Sequence, residues 1–293
     1  MATIIDTLRL KFTSGSMLIK LLFINIGIFL LLRISTIAIT LMGGNYQPML
    51  EWIEMPSDPI TFLHRPWTIL TYMFCHYDIL HILFNMLWLY WFGQIFLMVL
   101  NARQMVALYI YGGIAGALLY LLAYNTLPYF AGHNSFMLGA SASVIAIVVA
   151  SAMRCPNYKL NLLFFGQVSL KWIAIVTIAI DMLSITGNNA GGHIAHIGGG
   201  IMGFIFASML NRATDITIPF NNAIDAIVNF VKGIKKPTFK PGKNANKKAN
   251  NSQSNQDDRA KLDEILDKIK KSGYSGLTPD ERKRLFDISQ RIK

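Results

Sequence analysis

Ile79-Leu-His-Ile-Leu-Phe-Asn-Met-Leu-Trp-Leu-Tyr-Trp-Phe-Gly-Gln-Ile-Phe-Leu-Met-Val-Leu100 is an apolar stretch with no Asp, Glu, Lys or Arg. About 20 such residues, as a helix, cross a hydrocarbon core of roughly 30 Å, so this segment is read as a membrane span. In its first half it carries His81 and Asn85, and a spacing of four places them on one helix face. A polar pair inside a span is costly and marks a site by default.

The same ruler gives six spans: 19–42, 79–100, 105–124, 138–153, 168–185 and 190–210. Composition agrees, because 53% of the 293 residues are apolar and only 15% are charged, where soluble domains carry nearer a quarter. The net charge of +11 does not describe a nucleic-acid-binding surface. Residues 211–293 hold 18 basic and 10 acidic side chains, leaving 9 and 6 for the first 210. Arg9, Lys11 and Lys20 before span 1, Arg103 between 2 and 3, Arg154, Lys159 and Lys171 between 4 and 5, and the tail after 6 fall on one side, while the other receives Arg65 against Glu51, Glu54, Asp58 and Asp78. The positive-inside rule then puts both termini in the cytoplasm. Cys75 and Cys155 lie on opposite sides of the membrane and cannot pair. The first stretch is too long for a removable signal peptide and lacks a cleavage site, so it reads as an uncleaved span.

Two features depart from a plain bundle. Arg33 interrupts span 1 and is expected to face the bundle or the outer interface. Span 4, at 16 residues, reaches only about 24 Å. Its outer end should start below the surface, and the preceding 129–137 should be irregular chain dipping into the membrane, tolerated only where protein or a water-filled cavity satisfies its backbone. The expected fold is therefore an all-α polytopic membrane protein, a six-helix transmembrane bundle with a re-entrant loop. Residues 1–18 form a cytosolic N-terminal segment, 19–210 the membrane domain and 211–256 a basic flexible linker with seven lysines between 231 and 249, able to lie near anionic lipid. Leu262, Ile265, Leu266 and Ile269, then Thr278-Pro-Asp-Glu281 ahead of Leu285, Phe286, Ile288 and Ile292, describe a small cytosolic helical hairpin over 257–293.

Four polar residues lie in the outer halves of spans 2, 4 and 6: His81, Asn85, Ser141 and His196. Small residues let the helices approach. Gly139, Ala142, Ser143, Ala146 and Ala150 line span 4, and His196 shares its face with Gly199, Gly203 and Ala207 on span 6. Packing these faces together brings the Ser141 hydroxyl near the His196 imidazole, as nucleophile activation requires. A serine at a helix N-terminus has free backbone N–H groups beside it for a developing oxyanion, and His81 and Asn85 can complete that hole. No carboxylate has an evident place in the cluster. Asp181 on span 5 is the one buried candidate for a third member, and this reading sets it aside. His193 and His196, three apart, are too few for a metal site without further ligands, and no span carries His-Glu-x-x-His. His193 is assigned to the cavity mouth or the re-entrant loop, and His76 and His133 to the interface. Trp67, Tyr72, Trp88, Tyr90 and Trp91 read as aromatic belt and packing, with Trp88 and Trp91 also placed to flank a substrate gate.

His81-Ile-Leu-Phe-Asn85, then Trp88-Leu-Tyr-Trp-Phe-Gly93, then Gly139-Ala-Ser141-Ala142, then Ala195-His196-Ile-Gly-Gly199, in that order on the spans, resemble the rhomboid family of intramembrane serine proteases over about residues 60–210. Arg65-Pro-Trp-Thr68 is similar to the Trp-Arg region of that family's first loop in a changed order, and Ala142 stands where many members have glycine. The resemblance implies a Ser–His dyad, without metal or other cofactor, that cuts single-pass transmembrane proteins near the outer ends of their helices. Ser141 would be the nucleophile, His196 the general base and then acid, and His81, Asn85 and the Ser141 amide the oxyanion hole. The alternative is a catalytically silent rhomboid-like protein that binds and handles membrane clients. A transporter using the same residues is disfavoured, since no inverted repeat is evident. The expected partners are single-pass substrates and membrane lipid, not nucleic acid, and the sequence leaves the oligomeric state open. The lack of a targeting peptide and of paired cysteines fits a bacterial cytoplasmic membrane.

Overall fold

A computed structural model describes residues 15–162 and 166–234, together with residues 12, 267, 268, 278 and 280. The chain divides into two units, Met1–Asn229 and Phe230–Lys293, and the first contains the membrane helices.

Four of its helices are long and apolar enough to cross a membrane: α1 (Met17–Leu41), α5 (Ile79–Val99), α6 (Ala102–Thr126) and α9 (Ala190–Asn211). Two others are shorter, α7 (Ser141–Arg154) and α8 (Leu170–Leu183), of 14 residues each, or about 21 Å. All six fall on the stretches read from the sequence. The ends differ at α7, which starts at Ser141 rather than 138, and at α8, where residues 166–169 form a strand instead. Here β3 (Lys159–Leu162) pairs antiparallel with β4 (Gly166–Ser169) between α7 and α8.

Helix starts follow the side chains available to satisfy unpaired N–H groups. Asp78 accepts from the His81 amide at the start of α5, and Asn101 and Gln104 form a reciprocal capping box at the start of α6. The α5 cap thus fixes the helix within three residues of His81.

Helices α6, α7 and α9 meet at backbone contact. A Cβ on Gly198 would lie 2.6 Å from the Ala115 carbonyl oxygen, and one on Gly116 2.6 Å from the Ala142 Cβ; Gly199 and Gly203 sit directly against the carbonyls of Ala142 and Ala146. The small-residue faces of spans 4 and 6 therefore do pack together, and Gly112 and Gly116 of α6 press on the same helix. With no hydrophobic drive between helices in lipid, close packing of this kind holds them. Large apolar side chains such as Leu31, Ile34, Leu83, Phe84, Ile180 and Phe204 are exposed, forming the lipid-facing surface of a polytopic membrane protein.

The connection between α1 and α5 is ordered and holds α2 (Gln47–Glu51), β1 (Met55–Pro56), α3 (Pro59–His64) and α4 (Thr68–Thr71). The Arg65 guanidinium donates to the Glu51 carbonyl at 2.9 Å and lies 4.9 Å from the Trp52 ring centre, while the Trp67 indole stacks on Trp52 and donates to its carbonyl. Arg65 and Trp67 thus fasten this segment together. Arg33 lies 4.6 Å from the Tyr77 ring, just before the start of α5. Glu54 is buried, and that burial, with Glu51 second, pushes its carboxyl up to about 7.

β1 pairs antiparallel with β2 (Phe136–Met137), Met55 opposite Met137 and Pro56 opposite Phe136. The chain leading to α7 is satisfied by protein groups at each step. The Ser135 N–H donates to the Ser57 hydroxyl, the Tyr120 hydroxyl to the Ser135 carbonyl, the Gly139 N–H to the Tyr72 carbonyl, and the Ala140 N–H to Nε2 of His76. His76 is therefore buried, not interfacial; the chain before α7 folds over it.

Cys75 and Cys155 are both free. Part of the stretch expected as a flexible linker is instead α10 (Ile218–Ile234). Its amphipathic pattern was outweighed in the sequence by the lysines that follow. Within the first unit its Asp225 pairs with Arg103 at 2.7 Å and Phe220 meets the Tyr111 ring edge-on. The lysines after 234 and the expected hairpin, apart from 267, 268, 278 and 280, lie outside the described residues.

Candidate active site

Ser141 is the first residue of α7, and no side chain caps that terminus. Its first-turn N–H groups are therefore free to meet a ligand. Gly139, two residues earlier, has φ of +132°, a conformation open to glycine, and a Cβ there would lie 2.7 Å from Cε1 of His81. This close approach brings the imidazole of α5 against the backbone leading into the serine.

Asn85 lies one turn further along α5, buried, with its amide donating to the His81 carbonyl at 2.9 Å. One of its two amide hydrogens is used in that bond. His196 is in the seventh position of α9, one turn before Gly199, whose contact with Ala142 sets the spacing of α9 from α7.

A cavity of about 430 Å³ is lined by His81, Asn85, Trp88, Ser141, Asp181 and His196, among others. All four residues singled out in the sequence thus face one space, at the depth where α5, α7 and α9 begin. Trp88 joins them; Trp91 is exposed and lies away from this cavity. A second cavity, of about 630 Å³ and more polar, is lined by Tyr129, His133, Asn134, Asn189 and neighbouring loop residues and also reaches His81 and Ser141. The serine stands where the two meet. Its hydroxyl makes no hydrogen bond among the described residues, so it shares the cavity with His196 without direct contact. Such bonds are commonly long in unliganded sites.

One expectation is corrected. Asp181 of α8 does have a place in the cluster: its Oδ1 is 2.8 Å from Nδ1 of His196 and 2.8 Å from Nδ1 of His193. Nothing along the chain pairs span 5 with span 6. The available signal was that Asp181 is the one acidic residue inside any span, which marks it as functional by default. His193 accordingly faces Asp181, not the loop. The three donors lie within 4.8 Å of one another and would supply the third metal ligand that His193 and His196 lack, but both imidazole nitrogens are already at hydrogen-bond distance from one carboxylate oxygen. Tyr72, expected in the aromatic belt, is instead buried, and together with Tyr120, which nothing in the sequence marked, it fixes the loop and lines the larger cavity.

The Rhomboid domain family model matches residues 63–213, and a model for a family of unknown function, DUF6576, matches residues 246–291. The chain is 34% identical over 143 residues to RHOMBOID-like protein 12, mitochondrial, of Arabidopsis thaliana, covering 45% of this chain and 43% of that protein. It is 29% identical over 135 residues to Presenilin-associated rhomboid-like protein A, mitochondrial, of Danio rerio, covering 44% and 34%. With Rhomboid protease GlpG of Salmonella newport it shares 37% over 57 residues, 20% of each chain. The match thus spans less than half the length of each of these relatives.

Proposed function

The chain belongs to the rhomboid family, and we propose that it is an intramembrane serine endopeptidase that cuts single-pass transmembrane proteins in or near their helices. The observation that carries this reading is that Ser141, His196, His81 and Asn85, drawn from three helices, line one cavity. A related protein is named as a protease.

In this mechanism Nε2 of His196 takes the proton of Ser141 Oγ as the oxygen attacks the scissile carbonyl. The oxyanion is held by the Ser141 N–H, the remaining amide hydrogen of Asn85 and the His81 ring. His196 then gives its proton to the leaving amine, and water, activated by the same imidazole, hydrolyses the acyl-serine. A peptide bond in lipid is locked in its own helix, so the substrate must unwind locally. The polar 630 Å³ cavity beside Ser141 offers water and backbone partners for that unwound segment.

The wider reading follows the same lines. Helices α1, α5, α6, α7, α8 and α9 form six spans, the chain before α7 re-enters the membrane, and both termini lie on the Lys/Arg-rich face. We retain a bacterial cytoplasmic membrane as the proposed location, although two of the relatives carry mitochondrial names. Domain limits of 19–210 for the catalytic bundle and 257–293 for the tail hairpin belong to the same proposal. The silent helix-binding alternative is disfavoured because both Ser141 and His196 are present.

The test is cleavage of a reconstituted single-pass substrate in proteoliposomes. Wild type should produce a defined cut, and Ser141→Ala and His196→Ala should not. Binding of substrate without a cut by wild type would favour the silent alternative.

A further inference from the structure

A dyad leaves one buried charge unexplained. Asp181 is the one Asp or Glu within the six stretches read as spans, its Oδ2 has no hydrogen-bond partner among the described residues, and its Oδ1 is 2.8 Å from the Nδ1 of both His193 and His196. If its task were only to clasp α8 to α9, an amide would serve at far lower desolvation cost. A carboxylate does one thing an amide does not. Ionised, it accepts and never donates, so a ring nitrogen facing it carries the hydrogen.

Building on the serine protease reading, we propose that Asp181 is a positioning residue that holds His196 in the Nδ1–H tautomer. Nε2 is then the nitrogen left with the lone pair, available to the cavity that His196 shares with Ser141. A neutral imidazole without that carboxylate divides between two tautomers, and the Nε2–H form cannot accept the serine proton. His193, three residues before His196 on α9, puts a second Nδ1 on the same oxygen and orients the carboxylate without competing for the cavity side of His196. The device comes from α8, a short helix whose only other buried side chains are Leu170 and Ala174.

Two measurements on the full-length protein in detergent test this. The first is the rate of fluorophosphonate modification of Ser141. Asp181→Asn should lower it on the order of ten- to a thousandfold, less than the roughly 10⁴-fold loss when the carboxylate of a serine-protease triad becomes an amide. Asp181→Ala should be similarly slow and recover in part with added formate, which fits the vacated space; chloride at equal ionic strength should not restore it. The second is ¹⁵N NMR of histidine-labelled protein. His196 should be in the Nδ1–H form in wild type and move toward Nε2–H in Asp181→Asn. A merely structural Asp181 would lower the melting temperature while leaving the tautomer, and the modification rate of the folded fraction, unchanged; that result overturns the proposal. If wild-type Ser141 does not react at all, the protease reading fails, and the tautomer measurement alone still decides the role of Asp181.

Discussion

Gly199 of α9 lies against the carbonyl of Ala142 of α7 with no space for a side chain between them. This contact, one turn from His196 and one residue from Ser141, sets the distance between the two side chains of the proposed dyad. A methyl group there must push α9 outward or distort it, and backbone neighbours cannot yield as a flexible side chain would.

Gly199→Ala is therefore expected to cost more activity than stability. Overpacking of this kind costs about 1–3 kcal/mol, whereas a displacement of 1 Å between reacting groups can lower the rate about a hundredfold. Thermal unfolding and substrate cleavage, measured on the same preparation, check this. Equal cleavage by a normally folded variant would show that the contact does not set the geometry.

Gly139→Ala should also suppress cleavage. The positive φ and the nearness of the His81 ring both oppose a Cβ. Because the loop is held by bonds from Tyr72 and His76, the damage should stay local, with at least a tenfold fall in cleavage and a melting temperature shifted by only a few degrees. A variant with wild-type cleavage would remove this glycine from the site.

Glu54 gives a pH dependence of stability. Its folded value, about 7, lies above the ordinary carboxylate range because of burial, with Glu51 adding to it. The folded state therefore favours the protonated form. Its contribution is fully present below the unfolded value near 4.5 and is lost as pH rises toward and through 7. Glu54→Gln should raise the melting temperature at pH 8, change it little at pH 5, and flatten the profile between. A melting temperature of the variant below wild type at pH 8 would contradict the assignment.

Chelation should leave cleavage unchanged. In the proposed reaction Nδ1 of His196 carries a hydrogen facing Asp181, which is incompatible with a metal at that nitrogen. Loss of activity in a strong chelator, restored by zinc, would instead assign Asp181, His193 and His196 to a metal centre.

The spans were legible because the bilayer imposes a length and excludes charge, and because the polar residues inside them have few innocent explanations. The order of four short motifs then pointed to the rhomboid family, to which the chain belongs, and to Ser141 and His196 as the proposed catalytic pair. What the sequence did not show was lateral. Asp181 approaches α9 from a different helix, Gly112 and Gly116 of α6 press on α7 at the residues α9 also meets, and His76 reaches Ala140 across a loop. Such contacts have no period or spacing along the chain. The α10 helix is hidden for another reason: its amphipathic run leads into a stretch with seven lysines between 231 and 249, the first of them within the helix, and that composition is a linker's.

The most direct test of the central claim is fluorophosphonate modification of the detergent-solubilised protein, with the modified residue located by peptide mass mapping. The account predicts a single adduct on Ser141 that is absent in Ser141→Ala and strongly reduced in His196→Ala. A folded wild-type protein that takes no adduct, or takes it at another serine, would contradict it.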